Sequence, residues 1–255
     1  MREYVSYLHV DSYCPTPLMR IATWNLERKN PTSPRGAEAI DYFKSLTPEV
    51  AVATEARTSF SLGAGQSVWA TPPRGSRFAE DERKVVVWSA QGLERVEFDS
   101  PIDPTRFVAV RAATSIGSVL ILGICITWHM AEVTYHSGPK KKPWEEHLDY
   151  LEHLGQIFES IDEPFIAAGD FNQRIPRVKG GNRQAAESLE ATFAELNIVT
   201  SGILPGCTRP GIDHIAISAQ FTASNVEGWP NDVTGNRLSD HDGVLADLVA
   251  EYRRF

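Results

Sequence analysis

The segment Ser118-Val-Leu-Ile-Leu-Gly-Ile-Cys-Ile-Thr-Trp128 is apolar at nearly every position rather than every second one. A half-exposed strand alternates, so this unbroken run marks a strand, Val119–Trp128, covered on both faces at the centre of a layered structure. The run is only about half as long as a membrane span requires. Its neighbour Arg106–Ala113 is joined to it through Thr114–Ser118, which contains Gly117, and the two read as a hairpin. The strand within that neighbour is Phe107–Ala112, and further strands are predicted at Arg20–Asn25, Val50–Thr54, Lys84–Trp88, Phe165–Gly169, His214–Ile217 and Gly243–Leu248. Helical patterns cover Gly36–Leu46, Trp144–Phe158 and Arg183–Leu196. In the second, Trp144, Leu148, Leu151, Leu154 and Phe158 share one face between Pro143 and Pro164. Hairpins mixed with strand–helix–strand units predict an α/β chain of two mixed β-sheets packed together with helices outside. One domain spans residues 20–255, after an N-terminal extension of residues 1–19.

A chain of 255 residues buries enough surface to fold without a disulfide or metal staple. The formal net charge of −8 argues against a protein that coats nucleic acid, though not against an enzyme with a local basic cleft. Cys14, Cys125 and Cys207 lie far apart with no C-x-x-C pair. That excludes a disulfide scaffold and a cysteine-rich zinc site, and fits a reducing compartment. The first residues lack the apolar stretch of a secretion signal, so the expectation is a soluble, cytoplasmic protein.

Six segments place polar side chains at strand ends, where rigid backbone can aim them into a shared cleft. Asn25 closes Ile21-Ala-Thr-Trp-Asn25, and Glu55 follows the apolar run Val50–Thr54. Alone, the first reads as a turn residue and the second as a solvated strand end. Phe165-Ile-Ala-Ala-Gly-Asp-Phe-Asn172 is stronger: Asp170 and Asn172, two residues apart, offer a carboxylate and an amide to the same side, as hard-cation and phosphate chemistry demands. An Asx-turn ending the strand is the alternative. Asp213 opens the run Asp213–Ile217, and Leu238-Ser-Asp-His-Asp-Gly243 sets Asp240 beside His241. In such a pair the carboxylate can bind a metal while the imidazole handles a proton, with a second carboxylate, for which Asp213 is a candidate, holding the other ring nitrogen. His129 ends the central strand, a position that more often belongs to a packing or capping residue.

Taken in order, these segments resemble the endonuclease/exonuclease/phosphatase superfamily, which includes deoxyribonuclease I-like nucleases, abasic-site endonucleases, neutral sphingomyelinases and inositol polyphosphate 5-phosphatases. The resemblance runs from Arg20 to Leu248; Trp24-Asn25, Gly169-Asp-Phe-Asn172 and Ser239-Asp-His241 carry it most specifically. It implies a four-layered α/β sandwich with the site at the mouth between the sheets. It implies Mg²⁺ or Mn²⁺ as cofactor, with Glu55 the principal ligand and Asn25 and Asp240 completing or supporting the site. Asp170 would orient or deprotonate the attacking water, and Asn172 would hold it or a phosphate oxygen. His241, oriented by Asp213, would act on the nucleophile or stabilise the phosphorane, and His129 would donate to a nonbridging oxygen. An all-oxygen ligand set suits Mg²⁺ or Mn²⁺ better than zinc.

The chain departs from the family pattern at Thr127-Trp-His-Met130, where sphingomyelinase- and phosphatase-like members carry Asn-Thr/Ser-His-Leu. His129 itself argues against the abasic-site branch, which usually has Tyr there. Asp242 stands where many members have an apolar residue or proline, and Glu27 reads as a surface charge.

Two loops that follow proposed catalytic strands are basic: Lys140, Lys141 and Lys142 in one, Arg174, Arg177, Lys179 and Arg183 in the other. They either form a rim gripping flanking phosphates of a polyanion or are ordinary solvated loops. Trp69, Trp128, Tyr135 and Trp144 could stack on bases if exposed, though packing explains most of them. Three functions stay in view: a metal-dependent phosphodiesterase, above all a nuclease; a phosphomonoesterase or phospholipase acting on an inositol phosphate, sugar phosphate or lipid head group; and a non-catalytic phosphate-binding protein. The last is disfavoured by the full complement of polar residues.

Overall fold

The computed structural model describes residues 18–73, 75, 78–133 and 139–251. Residues 1–17, which make up most of the expected extension, lie outside it, as do Cys14 and Tyr135. The element order is β1 (Met19–Asn25), α1 (Pro34–Ser45), β2 (Val50–Arg57), β3 (Gln66–Trp69), β4 (Glu82–Ser89), β5 (Leu93–Val96), β6 (Phe107–Thr114) and β7 (Gly117–Cys125), then α2 (Glu145–Glu159), β8 (Phe165–Asp170), α3 (Arg183–Thr192), β9 (Asn197–Ile198), β10 (Asp213–Ile217), β11 (Phe221–Trp229) and β12 (Gly243–Ala250).

The apolar run becomes β7, and its alternate residues serve two cores. Val119, Ile121 and Cys125 face one cluster, shared with Val52, Val85 and Val87 of the opposite sheet. Leu120, Leu122 and Ile124 face another, beneath Leu151, Leu154 and Ile157 of α2. Between them Gly123 lets the sheets approach, since a Cβ there would lie 2.8 Å from a Val87 methyl carbon. On the far side Trp24 packs beneath Phe43 of α1. The layers are therefore helix, sheet, sheet, helix.

Each sheet has six strands, ordered β11-β12-β1-β2-β4-β3 and β5-β6-β7-β8-β10-β9. Each contains one parallel pair, β1 with β2 and β7 with β8, and these pairs bring the strand ends Asn25 and Asp170 to one mouth together with Glu55, which lies within β2 rather than after it because the strand continues to Arg57. The hairpin is confirmed, with Thr114 opposite Gly117.

Three expectations are corrected. The central strand stops at Cys125, so Thr127, Trp128 and His129 lie on the following loop. The third helix ends at Thr192, with Phe193–Leu196 in turns. In α2 the inward residues are His147, Tyr150, Leu151, Leu154 and Ile157; the buried histidine rotates the face away from Leu148. Four strands, β3, β5, β9 and β11, add to those expected from the sequence. No described helix is long and apolar enough to cross a membrane.

Candidate active site

Gly169 sets the local geometry of β8. Its φ of +143° is closed to most side chains, and a Cβ would lie 1.9 Å from the Ile124 carbonyl oxygen. The chain thereby passes close to β7 and delivers Asp170 beneath the mouth. Asp170 Oδ1 accepts the Asn172 backbone N–H at 2.8 Å, and Oδ2 accepts the side-chain amides of Asn172 at 3.0 Å and Asn25 at 3.1 Å. Asn172, at φ +52°, also donates to the Ile126 carbonyl at 2.7 Å. The Asx-turn is thus present, but the carboxylate it holds faces a cavity.

Asp213 is wholly buried, and both its oxygens are committed. Oδ1 accepts from His241 Nδ1 at 2.8 Å, and Oδ2 accepts the Asn25 backbone N–H at 2.7 Å. The His241 loop is fixed by Ser239, whose hydroxyl donates to the Asn25 carbonyl at 2.6 Å and accepts the His241 N–H at 3.1 Å. The Trp24 indole donates to the His241 carbonyl at 2.9 Å. Burial lowers the His241 pKa, but the charges of Asp213 and Asp170 outweigh it and push it up to about 10. Burial raises Asp170 above the ordinary carboxylate range, with His241 opposing and Asp213 adding to the effect.

Asp170, Asp213 and His241 have ligand atoms within 4.8 Å of one another. As a metal site this trio is poor, because Asp213 is wholly buried and His241 donates its Nδ1–H to it, held protonated rather than free to ligate. The better oxygen donors are Glu55, Asn25 and Asp240, which line one cavity of about 480 Å³ together with Asp170, Asn172 and His241. Glu55, at φ +47° in the middle of β2, carries the strained backbone that non-glycine residues show where position matters more than comfort. Its burial would raise its pKa, yet Lys84, with Arg28 and Arg106, holds it below the ordinary range, so it stays ionised. Lys84 Nζ lies 2.8 Å from Glu55 Oε1 and Arg28 Nε 3.1 Å from Oε2. An ionised carboxylate with an amide and a half-exposed carboxylate on the same cavity is a donor set that fits Mg²⁺ or Mn²⁺.

The structure brings seven of the eight expected catalytic and metal residues into one cluster. His129 is the exception: it is exposed, its ring edge-on to Trp128 (centroids 5.3 Å apart) and tilted against Trp144 (5.5 Å), and it is not on the cavity wall. Of the seven loop cations, none lines the cavity. Lys141 pairs with Glu146 and Asp149, Arg174 donates to the Pro210 carbonyl, Arg177 to the Gly181 carbonyl, and Arg183 pairs with Glu187; Lys140, Lys142 and Lys179 are exposed. The cavity's cations are instead Arg28, Lys84 and Arg106, which sequence reading missed because they come from three separate segments and none belongs to a motif. Trp128, 45% exposed, is on the cavity rim. Asp242 points elsewhere, accepting the Asn231 N–H at 3.0 Å, and Glu27 pairs with Lys29.

Comparison with known proteins agrees with this fold. The sequence profile of the Endonuclease/Exonuclease/phosphatase family matches residues 22–241. No curated protein sequence matches the chain. Among solved structures, the endonuclease domain of TRAS1, a telomere-specific non-LTR retrotransposon, is 16% identical, with 92% of this chain and 100% of that one covered at a TM-score of 0.63. The 3′ phosphatase NExo from Neisseria, bound to a product DNA hairpin, is 17% identical over 89% of this chain and 98% of that one, TM-score 0.62. The human Nocturnin catalytic domain is 13% identical over 92% and 96%, TM-score 0.64. These likenesses establish the shared fold.

Proposed function

The chain belongs to the Endonuclease/Exonuclease/phosphatase family, whose members are hydrolases acting on phosphoester bonds, and within it we propose a divalent-metal-dependent phosphodiesterase acting on nucleic acid. The observation that carries this reading is the meeting, in one cavity, of an ionised Glu55 with Asp170 and His241, the imidazole held from behind by the buried Asp213. Glu55, Asn25 and Asp240 would hold Mg²⁺ or Mn²⁺, which when bound neutralises charge on the phosphate.

The chain's own residues supply the rest. Asp170 keeps one lone pair of Oδ1 beyond its three amide contacts, and its raised pKa suits it to take a proton from an attacking water. The water oxygen bonds to phosphorus in line as the ester oxygen departs. His241, held as imidazolium by Asp213, donates to a phosphoryl oxygen and stabilises the charge that develops there. Asn172 fixes the Asp170 carboxylate. Trp128 on the rim offers a face on which a base beside the scissile phosphate can stack, which favours nucleic acid over a lipid head group.

A second reading, phosphomonoester hydrolysis, draws on Arg28, Lys84 and Arg106, whose charge suits a terminal dianionic phosphate. Turnover of single-stranded DNA, RNA and an inositol phosphate by wild type and Glu55→Gln separates the readings. The proposal expects nucleic-acid cleavage that Glu55→Gln weakens and high Mg²⁺ partly restores. Turnover confined to the inositol phosphate selects the second.

A further inference from the structure

Lys84 is buried beside two carboxylates on adjoining strands. Thr54 pairs with Val85 and Ala56 with Arg83, so Glu55 lies opposite Lys84 across β2 and β4. Glu82, two residues before Lys84 on the same strand, falls on the same face. The side chains of Lys84 and Glu82 are 6% and 3% exposed. The ammonium sits 2.8 Å from Glu55 Oε1 and 3.7 Å from Glu82 Oε1, and it lies 5.1 Å above the centre of the Phe78 ring. Glu82 Oε1 is buried and accepts no hydrogen bond among the described residues. A buried acceptor left without a hydrogen bond costs free energy in that state, and one that persists in a native structure calls for a role.

From this we propose that Lys84 is a counter-ion with two partners: it neutralises Glu55 until a divalent cation takes that carboxylate, then transfers its hydrogen bond to Glu82. The inference rests on Glu55 as a cation ligand. A divalent ion at Glu55 repels an ammonium at hydrogen-bond distance, and expelling Lys84 into solvent is blocked by its burial. Glu82 supplies the acceptor within one side-chain rotation. Arg28, with its side chain 47% exposed, needs no such partner because it can swing into water. The pair therefore sets the metal affinity: Lys84 competes with the ion, and Glu82 relieves the competition. Lys84 and Glu82 are positioning residues that act through Glu55.

The test is calorimetric titration of the full chain with Mn²⁺, without substrate. Lys84→Met is expected to bind Mn²⁺ on the order of tenfold more tightly than wild type, because the competing charge is gone. Glu82→Gln is expected to bind several-fold more weakly, and the double variant to match Lys84→Met, since Glu82 acts only through the lysine. Thermal melting gives a second readout: without metal Lys84→Met melts below wild type, and Mn²⁺ raises its melting temperature by more. Unchanged or weaker Mn²⁺ binding by Lys84→Met overturns the proposal, as does a Glu82→Gln effect that persists in the Lys84→Met background. Absence of Mn²⁺ binding in wild type and Lys84→Met alike overturns the metal reading of Glu55 and this proposal with it.

Discussion

Asp213 joins the two sheets at the site: from β10 its Oδ1 accepts the His241 imidazole at 2.8 Å, while its Oδ2 accepts the Asn25 backbone N–H of β1 at 2.7 Å. One buried carboxylate therefore aligns a proton-handling group and fixes the strand end that bears an expected metal residue. Asp213→Asn removes the charge that keeps His241 protonated and leaves the shape. The rate is expected to fall on the order of 100- to 10,000-fold with little change in KM. An NMR titration checks the cause: the His241 pKa, about 10 with Asp213 present, should drop.

Two other histidines are buried neutral and carry an acid sensitivity. His147 Nε2 accepts from the Gln173 side chain at 2.6 Å, while its Nδ1–H faces the Thr127 carbonyl at 2.5 Å. His214 Nε2–H donates to the Gln173 carbonyl at 3.1 Å. Burial pushes both down to about 4. Because the folded values lie below the unfolded one, their contribution is full above about pH 6.5 and is lost as pH falls toward 4, by up to about 3 kcal/mol each. Urea midpoints at pH 7 and pH 4.5 should show the loss, and His147→Gln, whose amide oxygen can still accept from Gln173, should reduce it. A midpoint equal at both pH values would count against neutral burial.

Gly169 admits no side chain. With φ at +143° and the Ile124 carbonyl in the way, Gly169→Ala is expected to cost about 3 kcal/mol or more in chemical denaturation and to abolish activity.

Trp128→Ala should raise KM for a dinucleotide about tenfold or more, as expected from losing one stacked base, whereas Trp128→Phe should retain most of the affinity. A matched substrate lacking the flanking base should be indifferent to both changes.

The four strands that the sequence did not reveal, β11, β3, β5 and β9, are the four edges of the two sheets. Edge strands carry polar residues that discourage pairing with other chains. Phe221-Thr-Ala-Ser-Asn-Val-Glu-Gly-Trp229 and Leu93-Glu-Arg-Val96 accordingly lack an apolar run to announce them. The centre was legible for the opposite reason, since β7 serves two cores and must be apolar throughout. At the site, Asn25, Asp170, Asn172 and Asp240–His241 sit in short motifs next to strand ends, so their neighbours identified them. Lys84 has no such context: only the register of β2 against β4 sets it across from Glu55. The loop cations misdirect the eye in the other sense, because runs such as Lys140–Lys142 are conspicuous in sequence while Lys141 is spent on Glu146 and Asp149.

The most direct test of the central claim is Mg²⁺-dependent turnover of single- and double-stranded DNA, RNA, an inositol phosphate and sphingomyelin by purified wild type beside Asp240→Asn. The expected result is nucleic-acid cleavage that a chelator abolishes and that Asp240→Asn loses. Cleavage that survives the chelator, or proceeds undiminished in Asp240→Asn, would contradict it.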